Sequence, residues 1–241
     1  MDWVTLYIIA SIMLIPLFIY GSIASAGVES TFNKYSRTLS SSGLTGYAVA
    51  KKLLDDAGIK NVKIVETGGR LTDCYDPKRK ELRLSSATIH SGSVAAIGVC
   101  AHEVGHAVQD HKNMFLFKLR IFIVPIVNLV NRAFVPLILL GSILGFTFYI
   151  PVVGYYIVLG SIIAYGASMV FSLITLPLEY DASKRAMRML KETGAFSDDE
   201  LKHSSKILKA AIQTYISSTL TSVAYFLRFL SYAMIFSRNR D

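Results

Sequence analysis

The chain has 241 residues, 52% hydrophobic and only 17% charged, with a formal net charge of +8. A soluble domain carries about 25% charged residues; here the deficit falls in a few long blocks, which excludes an ordinary soluble globule and points to spanning helices plus one modest polar region. The basic excess lies beside those blocks, where positive-inside orientation and anionic lipid account for it without nucleic acid.

Trp3 to Ala24 carries no charge and is long enough to cross a bilayer at about 1.5 Å per residue. Met1-Asp2 offers no basic residue ahead of it and the apolar run is too long for a cleaved leader, so residues 1–26 read as a retained anchor. Residues 27–120 form the polar region. There Tyr47, Ala50, Leu54 and Ala57 share one helical face, with Thr45 placed to cap the helix and Gly58 to end it. Two strand-like runs follow, 61–66 and 81–85, with a turn through Asp76-Pro77 before the second. The 81–85 strand is a candidate to take a substrate by strand addition. Cys74 and Cys100 make neither a disulfide framework nor a CxxC metal pair.

Ser93 to His111 reads as a buried helix. The next stretch is apolar but interrupted by Lys118, Arg120, Pro125 and Arg132, and reads as a broken, interfacial approach to the bilayer. Ala133 to Leu178 is uncharged, and its turn signal around Gly145, Pro151 and Gly154 divides it into antiparallel spans, 133–150 and 152–176. Residues 121–176 are thus an interfacial segment plus a transmembrane hairpin. A polar helical segment, 177–209, is closed once by Gly194 and reopened by a Ser197/Glu200 capping box. Residues 210–241 are an apolar helix, interrupted by Arg228, and a tail holding Arg238 and Arg240.

The chemistry lies in "HEVGH", residues 102–106. On a helix, positions four apart differ by about 40°, so His102 and His106 project side by side and can share one Zn²⁺. Glu103 sits about 100° round, where it can take a proton from water without ligating. A helix with locally satisfied polar groups is the competing reading. It fares badly because two imidazoles and a carboxylate buried among Val, Ala, Gly and Cys cost several kcal/mol unless paired or metal-bound. Gly105 leaves room between the ligands for a substrate. A catalytic zinc needs a third protein ligand. His111 is too near for a metzincin spacing, and His90 and His203 have the polar neighbours of surface residues. Glu179, the first charge after the hairpin, is the favoured third ligand, with Asp181 its rival. For a transition-state donor Tyr180, Tyr215, Arg185 and His203 stay open.

"LTDCYDPKRKELRLS", "SVAAIGVCAHEVGHAVQ" and "LPLEYDASKRA" together resemble the bacterial membrane zinc metallopeptidases of the YugP type, over nearly the whole chain. The resemblance implies His102, His106 and Glu179 as ligands and Glu103 as general base, a scheme similar to that of the gluzincins. Two positions depart from the pattern. Cys74 stands where the family often has histidine, and Ser183 where the wider gluzincin pattern has an aspartate that supports a ligand histidine. Asp110 is the candidate to substitute for it.

The expected fold is mainly α, an integral membrane helical bundle with a small α+β zincin-like catalytic region. The expected function is a zinc-dependent endopeptidase with one catalytic Zn²⁺, acting on peptide or membrane-protein substrates in a lipid bilayer. The alternative is a non-enzymatic, zinc-stabilised membrane scaffold, which has no need of Glu103. A site-2-type intramembrane protease fits less well, because charged segments flank the motif helix. Lys34 and Arg37 follow the first span and no base precedes it, which puts residues 27–120 on the cytoplasmic side of a bacterial plasma membrane. The turn at 149–155 then lies outside.

Overall fold

The computed structural model describes residues 2–148 and 150–238. In chain order the elements are α1 (Trp3–Tyr35), α2 (Gly46–Asp56), β1 (Lys63–Thr67), β2 (Cys74–Asp76), β3 (Glu81–Ser85), α3 (Ser86–Ile89), α4 (Val94–His111), α5 (Phe115–Phe146), α6 (Pro151–Glu192) and α7 (Asp198–Arg238). Among the described residues α1, α5, α6 and α7 are long and apolar enough to cross a membrane. The chain divides into two compact units, residues 1–22, 119–176 and 215–241 in one, and 23–118 and 177–214 in the other.

The first unit is built from helices alone. Water is absent from a bilayer core, so each backbone N–H and C=O must pair within its own helix. That requirement explains why α5 runs unbroken through Pro125 and Pro136, where the sequence reads as an interfacial break at 121–132. Each proline costs one helical hydrogen bond, but no alternative partner exists for the rest. Gly141 and Gly154 bring α5 and α6 into backbone contact: a Cβ on Gly154 would lie 2.4 Å from the Gly141 carbonyl oxygen. Phe134 packs on Tyr165 and Phe229, with ring centroids 4.6 and 4.7 Å away. Serines add bonds between helices, Ser168 to Asn131 at 2.8 Å and Ser172 with Ser222 at 3.0 Å. Arg228 lies over the Tyr7 ring and donates to its hydroxyl at 3.4 Å. Of the expected turn, Tyr149 lies outside the described residues, as does Arg240 of the tail.

The second unit holds the polar region. Its sheet has the order β1-β3-β2, with β1 parallel and β2 antiparallel to β3. The 81–85 strand is therefore central and has no free edge, which removes it as a substrate acceptor; β1 and β2 are the edges. Asp76 turns the chain between β2 and β3 by accepting from the N–H groups of Lys78 and Arg79. Thr45 caps α2 by accepting from Ala48, and Gly58, at φ +72°, carries the chain out of it. Ser197 and Glu200 bond reciprocally at the start of α7. Glu200 also accepts from the Ser41 N–H at 2.6 Å, tying the segment after α1 to that helix start.

The core of this unit forms around α4. Its Cys100, Ala101, Val104 and Ala107 are fully buried against Leu53, Leu82, Leu84, Ala186 and Leu190. Small residues along α4 let other helices come close. A Cβ on Gly105 would lie 2.6 Å from the Ala182 carbonyl oxygen, so this glycine serves the approach of α6 rather than space for a substrate.

Candidate metal centre

Ser93 caps α4 by accepting from Ala96, and the helix then runs to His111 without a break. His102 and His106 leave its same face, their ring centroids 4.8 Å apart and nearly perpendicular. Glu179 reaches them from α6 and is 1% exposed. One of its oxygens, Oε2, lies 3.1 Å from His102 Nε2 and 3.3 Å from His106 Nε2. The three ligand atoms all fall within 4.8 Å of one another.

The second nitrogen of each ring is also engaged. Gln109, fully buried, donates its amide Nε2 to the Leu178 carbonyl at 2.8 Å and to Asp181 Oδ2 at 2.9 Å. Both partners are pure acceptors, which fixes the amide orientation. Its Oε1 must then accept from His106 Nδ1, 2.9 Å away. A proton on Nδ1 leaves the Nε2 of a neutral His106 as a lone pair facing the Glu179 carboxylate. His102 Nδ1 meets Ser183 Oγ at 3.2 Å. With Ser183 accepting from Nδ1–H, His102 presents its Nε2 lone pair to the same buried point, and one cation there satisfies all three donors. The two carboxylate–imidazole spacings match a tetrahedral zinc, whose ligands at about 2.0–2.1 Å stand about 3.3 Å apart. The residues fit the metal.

Glu103 is the adjacent carboxyl. Burial lifts its pKa to about 7, with Glu179 and Asp73 adding to the rise and His102 and the Tyr75 backbone N–H opposing it. That is the range a general base needs at neutral pH. Cys74, on the neighbouring strand β2, is exposed, and burial followed by the charge of Glu103 pushes its thiol up, away from thiolate reactivity.

Other residues fall elsewhere. Asp181 points to Gln109 and, at 2.6 Å, to Arg185, and is not one of the three converging ligands. Asp110 accepts from Tyr75 and Lys80, and these partners rather than a histidine engage its carboxylate. Ser183, at the position that departs from the gluzincin pattern, makes the contact with His102 instead. Of the candidate transition-state donors, Arg185 is held by Asp181, His203 stacks on Tyr35 at 4.6 Å, Tyr180 is exposed, and Tyr215 belongs to the other unit. His90 is exposed and pairs with Glu66, and His111 is exposed at the end of α4. Gln109 is the residue the motif reading misses. Its signal was present, a buried amide three residues past His106 in the same apolar run.

Comparison with known proteins shows the family of the chain. A family model described as "Putative neutral zinc metallopeptidase" matches residues 10–234. A curated relative from Bacillus subtilis (strain 168), the "Putative membrane protease YugP", is 38% identical over 233 residues, covering 93% of this chain and 99% of the relative. No solved structure matches the chain. With His102, His106 and Glu179 all inside the matched span, this membrane protein belongs to the neutral zinc metallopeptidase family.

Proposed function

We propose that the protein is a membrane-embedded endopeptidase of gluzincin-like design, with one zinc held by His102, His106 and Glu179. The observation that carries the reading is the convergence of three donors on one buried point, with both imidazoles fixed from behind by Ser183 and Gln109. Bound zinc supplies Lewis acidity toward a peptide carbonyl and toward water. The chain supplies the remainder. Glu103 takes a proton from the attacking water and returns it to the leaving amine, a carboxyl poised about 7 suiting both transfers. Ser183 and Gln109 hold the ring orientations through the cycle. The free edge of β2, whose Tyr75 N–H faces Glu103, suits a substrate in extended conformation laid beside it.

The charge bias after α1 supports a cytoplasmic active site in a bacterial plasma membrane, and four spanning helices support membrane proteins as substrates. The test is hydrolysis of an unstructured fluorogenic protein by the purified full chain. Glu103→Gln abolishes turnover and keeps zinc, because the amide cannot accept the proton. Wild-type turnover by Glu103→Gln would refute the mechanism, and hydrolysis that persists without zinc would refute the metal role.

A further inference from the structure

The spanning unit holds a cation, Arg132, whose side chain meets no partner among the described residues. On α5, Asn128, Asn131, Arg132, Val135 and Leu139 recur at helical spacing along a single stripe, and all are exposed. Asn131 Oδ1 accepts from Ser168. Arg132 has neither hydrogen bond nor ion pair among the described residues.

Its depth follows from the helix. Arg132 lies twelve residues past Arg120 and fourteen before Phe146, about 18 and 21 Å along the axis. Side contacts give the same level independently. The neighbouring Asn131 and Phe134 meet Ser168 and Tyr165, which lie eight and eleven residues before the end of the uncharged stretch of α6 from Pro151 to Leu176, well inside it. Snorkelling toward the headgroups lowers the cost of such a residue but supplies no countercharge. A cation at the bilayer centre costs about 3 kcal/mol or more unless paired. Arg228 differs in part: it donates to Tyr7 and lies over the Tyr7 and Phe229 rings, though its Nε has no partner among the described residues.

The source of the missing charge is narrowed by what the chain lacks. Residues 3–22, 119–176 and 215–238 contain no aspartate or glutamate. A second copy packed about a twofold axis on this face would set Arg132 against Arg132. Lipid phosphates lie at headgroup level, far from the midplane. We propose that the α5 stripe docks a transmembrane helix of another membrane protein, one carrying an aspartate or glutamate near the bilayer centre. Arg132 pairs with that carboxylate, and Asn128 and Asn131 offer amide hydrogen bonds on either side. The inference does not rest on the peptidase reading.

The test uses the full chain in phosphatidylcholine vesicles with leucine-rich spanning peptides. Each peptide carries a photoactivatable leucine and one central residue, Asp, Leu or Lys. Adducts are mapped by digestion and mass spectrometry. The Asp peptide gives about fivefold more adduct on α5 than the Leu peptide, and the Lys peptide gives the least. Arg132→Leu lowers the Asp peptide to the Leu level, Arg132→Lys retains most of the preference, and Arg228→Leu leaves it unchanged. Equal yields from Asp and Leu peptides, or a preference that survives Arg132→Leu, overturn the proposal. So does an α5–α5 adduct between two copies, which assigns the face to self-association. Retention of added phosphatidylglycerol by wild type but not by Arg132→Leu, with no Asp preference, assigns it to lipid and overturns it equally.

Discussion

Replacing Gln109 by Leu removes the buried amide behind the metal centre at nearly constant volume. Three bonds disappear together, from His106 Nδ1 at 2.9 Å, to the Leu178 carbonyl at 2.8 Å and to Asp181 at 2.9 Å. The losses are unequal. Leu178 lies inside α6, where its carbonyl can keep a helical partner, and Asp181 keeps Arg185. Only the His106 Nδ1–H is left buried without an acceptor, at a cost of about 1–3 kcal/mol. That range agrees with the roughly 10–100-fold loss of metal affinity seen when groups behind a ligand are removed. The expected result is a zinc Kd weakened by that factor, measured by competition with a chromophoric chelator on the folded variant. Gln109→Glu separates support of the histidine from general packing. Its carboxylate still accepts from Nδ1–H but can no longer donate to Leu178 and is repelled by Asp181. It therefore keeps zinc closer to wild type than Leu does, while losing thermal stability. A zinc Kd within twofold of wild type in folded Gln109→Leu would refute the reasoning.

Glu179→Ala loses zinc and activity together, whereas Asp181→Ala keeps the metal and loses stability through Arg185 and Gln109, checked by metal analysis and thermal melting. Ser183→Ala weakens zinc by less than tenfold, because a single neutral contact at 3.2 Å is lost, and Ser183→Asp restores or tightens binding by giving His102 Nδ1 a charged acceptor. Backbone N–H groups of Ser197 and Ser41 outweigh burial and hold Glu200 at a pKa of about 2. A depressed carboxyl stabilises the fold above its unfolded pKa of about 4.5, and that stability is lost as pH falls through about 2. Glu200→Gln accordingly loses about 1–2 kcal/mol at pH 7 and shows a flatter acid limb in urea melts between pH 4.5 and 2. On a background lacking Cys74 and Cys100, a cysteine at Val152 reacts with an impermeant reagent from outside the cell and one at Lys78 only after permeabilisation; the reverse pattern would move the active site outside.

Local signals carried much of this structure. Thr45, Gly58, Gly194 and the Ser197/Glu200 pair each end or start a helix where their chemistry predicts. The motif on α4 was legible because a buried imidazole pair without metal is costly. What remained hidden depends on tertiary arrangement. Strand order cannot be read from strand-like runs, so the central place of β3 came only with the parallel pairing to β1. Pro125 and Arg132 look like interruptions in water-based reasoning, yet α5 continues because a membrane offers the backbone no other partner. Gly105 reads as room for a substrate in the sequence, and only the structure shows Ala182 against it. Support for the two histidines likewise fell to Ser183 and Gln109 rather than Asp110, a choice set by how α6 crosses α4.

The most direct measurement is zinc-edge X-ray absorption on the purified chain, with metal stoichiometry taken from the same sample. The account predicts one zinc per chain, with two imidazole nitrogens at about 2.0–2.1 Å, carboxylate oxygen at about 2.0–2.2 Å and no sulfur scatterer. It also predicts that Glu179→Ala removes the oxygen shell or the metal itself. A protein purified without zinc, or a metal ligated by sulfur from Cys74, would contradict it.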